Sequence, residues 1–285
     1  MSDRIVYLNG EWLPETEAKV SIFDRAFLFG DAIYEVTAVV NGKLLDYPGH
    51  TARLNRSLNE IGIKAPVSDD ELLEIHREIV RKNEITDGLI YLQISRGAAD
   101  RDFTFKSDLK PTITLFTQVK DAVNNPQAET GISVITVPDQ RWRRCDIKTV
   151  QLLYPSLAKM EAKSRGADDA WLILDGMVTE ASSATAHIID ANGKLITRQL
   201  TTEILPGITR ASILDIAKEA GVDFEERAFS PEEAKNAAEA FITSATAFVT
   251  PVVKIDDTVI GEGKPGPVSK KLRELYIKSR IELSI

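Results

Sequence analysis

Short apolar runs broken by Asn-Gly pairs fill the first third of the chain, a pattern that predicts strands joined by tight turns. Asn9-Gly10 separates IVYL from EWL, and Asn41-Gly42 separates YEVTAVV from KLLDY. Both pairs suit two-residue hairpin turns, whose central residues need positive φ. The spacing then becomes helical. In HTARLNRSLNEIGI the apolar positions are Leu54, Leu58 and Ile61. In SDDELLEIHREIVRKNE, Ser68 and Glu71 stand in capping-box register ahead of Leu72, Ile75 and Ile79. LIYLQIS and PTITLFTQV return to strand character, so residues 1–120 read as a small α+β domain with a mostly antiparallel sheet.

Residues 121–131, DAVNNPQAETG, are short, polar and contain Asn-Asn-Pro, which predicts an interdomain linker. A larger α+β domain follows over residues 132–285: strand ISVITV, a basic turn, helix SLAKMEAKSRGA, and hairpins DAWLILDGMVTE and AHIIDANGKLIT. A helix is expected from near Pro206, with Ile213 and Ile216 on its buried side. Ser230-Pro231-Glu232-Glu233 reads as another helix start, with proline at the first helical position. Strands AFITS and FVTPVVKI and a charged C-terminal helix complete the chain.

Composition narrows the function classes. With 35 Lys+Arg against 43 Asp+Glu the net charge is −8, which argues against a nucleic-acid partner. RWRRC is too short a basic cluster to reverse that. No apolar run approaches a membrane span, the N-terminus lacks a secretory pattern, and the lone Cys145 excludes an internal disulfide; the expectation is a cytoplasmic protein. His50, His76 and His187 show no metal-ligand spacing, and GEGKPGP lacks the form of a phosphate loop. No metal site is expected.

One constellation carries chemistry. Lys148, in RRCDIKTVQLLY, stands between a predicted strand and a predicted helix. Glu180 follows at the end of a strand, in MVTEASS. LPGITR places Ile208 and Thr209 at a helix start behind a glycine, where unpaired N–H groups suit a phosphate, and ITSAT offers a second such turn with Ser244 and Ala245. A lysine, an acid and two phosphate-type turns are the parts that a pyridoxal phosphate site needs. Taken alone, each has a plainer reading: a solvated lysine, a strand-end acid, turn formers.

Here the chain resembles the fold-type IV pyridoxal-phosphate enzymes, and among them the D-amino-acid aminotransferases. The resemblance runs through YLNGEWLP, FDRAFLFGDAIYEV, LIYLQISRGAADRDF, RWRRCDIKTVQLL, TEASS, LPGITR and TSAT, in family order. It implies two α+β domains with the cofactor in the cleft between them, and a homodimer. It makes Lys148 the lysine that carries pyridoxal 5'-phosphate and Glu180 the acid paired with the ring nitrogen. Arg53, Ile208, Thr209, Ser244 and Ala245 become phosphate contacts, and Leu205 an apolar neighbour of the ring. Tyr34 and Arg101 match residues that hold the substrate carboxylate, Arg101 being lent by the partner subunit. The implied substrates are a D-amino acid and a 2-oxo acid. An (R)-amine or branched-chain aminotransferase is the alternative on the same fold; an aminodeoxychorismate lyase and a cofactor-binding relative without turnover are lesser ones.

Two departures from the family pattern bear on the substrate. Phe103 stands where the D-specific enzymes have a histidine, which removes one polar partner of the carboxylate. In EASSATA, Ala181, Ala184 and Thr185 replace an expected glycine and polar residues. Alanine takes positive φ less freely than glycine, so a shifted loop is expected there.

Overall fold

The computed structural model describes residues 4–285. Chain contacts divide it into two compact units. The first comprises residues up to Asp121 together with Ile147–Gln151 and Leu283–Ile285; the second comprises Ala122–Asp146 and Leu152–Glu282. The lysine segment therefore belongs with the first unit, although the sequence around it belongs with the second.

In the first unit the elements are β1 (Ile5–Leu8), β2 (Glu11–Pro14), α1 (Arg25–Phe29), β3 (Ala32–Val40) and β4 (Lys43–Leu44), followed by α2 (Tyr47–Glu60), α3 (Asp69–Lys82), β5 (Gly88–Ser95) and β6 (Thr112–Val119). The six strands run β2-β1-β6-β5-β3-β4, antiparallel throughout. Both Asn-Gly turns form as expected, with Asn9 and Asn41 at φ 52. The Ser68 hydroxyl accepts the Glu71 N–H at 3.2 Å and starts α3. Leu54, Leu58, Leu72, Ile75 and Ile79 point into one apolar cluster with Ile33, Ile90, Leu92 and Leu115 of the sheet. Helix α2 begins earlier than the apolar spacing suggested, because Pro48 supplies a pre-set φ in its first turn.

The second unit contains α4 (Pro126–Thr130), β7 (Ile132–Pro138), α5 (Leu153–Ser164), β8 (Asp169–Leu174), β9 (Met177–Ala181), β10 (Thr185–Ile189), β11 (Leu195–Thr197) and α6 (Ile208–Glu219). It continues through β12 (Phe224–Glu226), α7 (Pro231–Lys235), β13 (Glu239–Ser244), β14 (Phe248–Ile255), β15 (Thr258–Val259) and α8 (Pro267–Glu282). Its sheet runs β12-β11-β10-β13-β14-β7-β8-β9, with β15 on β14. The pairs β11–β12, β14–β7 and β7–β8 are parallel and the rest antiparallel. Every residue of β10 is buried, as a strand covered on both faces requires.

The stretch expected as a linker is packed chain from Ala122 onward. Asn125 caps α4, Ala128 is buried, and Arg273 of α8 donates to the carbonyls of Ala122 and Val123 at 2.6 and 2.9 Å. Its polar composition reflects these caps and carbonyl contacts.

Two buried histidines make stability pH-dependent. Burial pushes His76 down from 6.5 to about 4 and His187 well below its ordinary value. Such a group stays neutral when folded while the unfolded chain takes the proton. Stability is therefore complete above pH 6.5 and is lost as pH falls through that value. His76 alone accounts for about 2 kcal/mol between pH 7 and pH 5. Urea midpoints at the two pH values check this; equal midpoints would contradict it.

Candidate functional site

Lys148, Tyr34, Arg53 and Arg101 lie in the first unit, and Glu180, Leu205, Ile208, Thr209, Ser244 and Ala245 in the second.

Lys148 is fixed through its backbone. Tyr34 donates its N–H to the Lys148 carbonyl at 2.9 Å, Val150 donates to Ala32 at 3.1 Å, and Ile33 bridges Thr149. Residues 147–151 thus lie along the start of β3, and Ile147 sinks into the core of the first unit. Gly30 makes room for this. It caps α1 at φ 68, and a Cβ there would sit 3.1 Å from the Gln151 side chain. The Lys148 ammonium lies 4.3 Å from the centre of the Tyr34 ring, which itself stacks on Tyr91.

Arg53 is a buried residue of α2, fixed by a partner that sequence reading missed. Its Nε and Nη2 donate to the two carboxylate oxygens of Glu35 at 2.8 and 2.7 Å, and His50 Nδ1 lies 2.8 Å from Glu35 Oε2. Burial would raise the Glu35 carboxyl, but Arg53 and His50 outweigh it and bring the value down to about 2. Glu35 neighbours Tyr34 on β3, and His50 lies one helical turn before Arg53; the pairing of strand with helix, across 15 and 18 positions, could not be read locally.

In the second unit Glu180, at the end of β9, is held from two sides. The Leu205 N–H donates to Oε1 at 2.9 Å and Arg141 Nη1 to Oε2 at 2.5 Å. Arg141 also forks onto Asp139 through Nε at 3.0 Å and Nη2 at 2.7 Å, and Thr179 donates to Asp139 at 2.7 Å. Burial raises Asp139, yet Arg141 brings its net pKa below the ordinary value; Arg141 itself is raised. Arg141 is the first arginine of RWRRC, where its charge looked like part of a surface cluster. Burial pushes the Cys145 thiol up to about 11, so it stays neutral three residues before Lys148.

The two phosphate-type turns are tightly built. Gly207 precedes α6, whose first turn has no side-chain cap, and a Cβ on Gly207 would meet Thr185 Oγ1 at 2.8 Å. Thr185 pairs with Thr243 across β10 and β13, which brings the start of α6 beside the strand that ends in Ser244. The following turn runs into Phe248, whose φ of 56 is rare for a bulky residue. Arg273 secures it by donating to the carbonyls of Ala247 and Val249 at 2.9 and 2.8 Å. The EASSATA loop needs no glycine: residues 181–185 all have ordinary φ, and Ala181 closes the turn by donating to Ala184 O at 2.8 Å. The shift expected from missing glycine therefore has no backbone cause.

Comparison with known proteins places the chain in a family. The family described as Amino-transferase class IV matches residues 32–255. D-alanine aminotransferase of Bacillus licheniformis is 42% identical over 270 residues, covering 94% of each chain. That of Staphylococcus aureus (strain N315) is 41% identical over 274 residues, covering 96% of each. Among solved structures, the branched-chain aminotransferase from the archaeon Thermoproteus uzoniensis with norvaline has TM-score 0.85 at 27% identity, covering 98% of this chain and 95% of its own. The chain belongs to the class IV aminotransferases, as the sequence motifs led us to expect, and it has their fold.

Proposed function

We propose that the protein is a pyridoxal-phosphate-dependent aminotransferase that moves the amino group of a D-amino acid such as D-alanine to a 2-oxo acid. The observation that carries this reading is Glu180, held by Arg141 and the Leu205 N–H within a chain 40–42% identical to D-alanine aminotransferases over nearly its whole length.

Two features support the fit to the cofactor. The Glu180 carboxylate is fixed in place by the Arg141 guanidinium and the Leu205 N–H, as an acid facing a ring nitrogen would need to be. Gly207 lets the chain pass close against Thr185, where any Cβ would clash, and it opens a helix start that no side chain caps. Bound pyridoxal phosphate supplies an electron sink and the carbon that carries the amino group between substrates.

The chain's own residues do the rest. Lys148 would hold the cofactor, and its amine would take the proton from the substrate Cα. Glu180 would keep the proton on the ring nitrogen. Arg53, Thr209 and Ser244, with the backbone N–H groups of Ile208 and Ala245, would hold the phosphate, and Leu205 would be the apolar neighbour of the ring. Tyr34 binds the substrate carboxylate with Arg101 of the partner subunit. A homodimer is supported by exposed apolar surface: Phe27 and Phe103 are 76% and 78% exposed, and Leu153, Leu157 and Met160 form an exposed stripe along α5. Among the described residues no helix is long and apolar enough to cross a membrane, and the single cysteine fits a cytoplasmic setting.

A branched-chain or (R)-amine aminotransferase is the second reading, favoured by Phe103, an exposed aromatic where a histidine was expected. Steady-state rates with D-alanine, L-leucine and (R)-1-phenylethylamine, each with 2-oxoglutarate, separate the two. D-alanine is expected to exceed both others in kcat/KM by about 100-fold or more, a difference of about 2.7 kcal/mol. Preference for L-leucine or the amine would overturn the D-amino-acid reading.

A further inference from the structure

The loop that carries Arg101 leaves the sheet between β5 and β6. Its base is narrow: a Cβ on Gly97, at φ 105, would collide with the Lys110 carbonyl. Above that base, guanidinium groups and aromatic rings alternate. Arg96 Cζ lies 3.8 Å from the centre of the Phe105 ring, and Arg25 Cζ lies 5.0 Å from the same ring. Arg25 also sits 4.4 Å from Phe29, and Arg101 lies 5.7 Å from Phe29 and 5.6 Å from Phe103. The Phe29 and Phe103 rings are tilted together at 5.7 Å.

The inner end of this stack is rigid. Asp31 accepts from Arg25 Nε at 2.8 Å and from Arg96 Nε and Nη2 at 2.7 and 3.0 Å. Arg96 further donates to the carbonyls of Ile61 and Gly62, and Arg25 to that of Asp102. Both arginines are buried, so neither can move far from Phe105. The outer end is Arg101, an exposed side chain held by aromatic faces alone among the interactions described. A guanidinium kept in this way retains its N–H edge for a carboxylate, because stacking engages only its face.

We propose that Phe105 and Phe29 are positioning residues for Arg101: through the stack Arg96–Phe105–Arg25–Phe29–Arg101 the half-buried Asp31 and its two buried arginines orient the arginine that receives the substrate carboxylate. This rests on the reading of Arg101 given above. Phe103 closes the outer face of the stack, so its aromatic ring serves the arginine directly.

The test is a double-mutant cycle on the holoenzyme, with D-alanine and 2-oxoglutarate as probes. Phe105→Leu is expected to raise both KM values about tenfold, with kcat little changed, and Phe105→Tyr to restore them. Arg101→Ala should raise KM at least as far, and adding Phe105→Leu to it should raise KM no further, since the stack acts only through the arginine. Phe29→Leu is the second route should Phe105→Leu not fold. Unchanged KM in the leucine variants, or a full additional increase on top of Arg101→Ala, would overturn the proposal. Unchanged KM in Arg101→Ala would instead remove the carboxylate role itself.

Discussion

Lys148→Ala is expected to lower kcat by about 10⁴-fold or more, roughly 5.5 kcal/mol of transition-state stabilisation, because in the proposed mechanism one side chain supplies both the covalent hold and the proton transfer. The loss should not come from unfolding. What anchors this segment is the Lys148 carbonyl, the Val150 N–H and the Ile147 side chain, and alanine leaves all three intact. An exogenous amine such as methylamine should restore part of the rate by taking the proton in place of the missing side chain. The measurement is a single-turnover rate with D-alanine, alongside a thermal melt that should match the wild type. A variant that turns over within tenfold of wild type would move the chemistry to another residue.

Glu180→Gln is the second large effect. The substitution keeps shape: the amide oxygen can still accept the Leu205 N–H, and Arg141 keeps its fork on Asp139. What disappears is the negative charge proposed to hold a proton on the ring nitrogen. The expected loss is about 10²–10³ in kcat, in the range for removing one preorganised electrostatic partner. KM should change little. Arg141 differs in kind, since removing it would leave Asp139 and Glu180 near each other without the cation both contact. If Glu180→Gln retained full kcat, the acid would be structural only.

The physical reasons for what could and could not be read from sequence are visible in particular residues. The Asn-Gly hairpins and the Ser68 cap were legible because each depends on neighbours in the chain. The parallel pairs β14–β7 and β7–β8 were not, since a strand's local pattern does not reveal the direction of its partner. The residues bracing the site were hidden for the same reason. Glu35 meets Arg53 from a strand onto a helix, and Arg141 meets Glu180 across 39 positions. Arg141 even carried a misleading local signal, because a run of arginines reads as surface until a buried carboxylate claims one of them. Lys148 and Glu180, the residues proposed to carry the chemistry, stood out only through the order of motifs along the chain.

The central claim is that Lys148 carries the cofactor. Borohydride reduction of the holoenzyme, followed by digestion and peptide mass spectrometry, tests it most directly. The account predicts a phosphopyridoxyl group on the peptide containing Lys148 and on no other, lost in Lys148→Ala. The label on a different lysine, or no label in an enzyme that transaminates D-alanine, would contradict it.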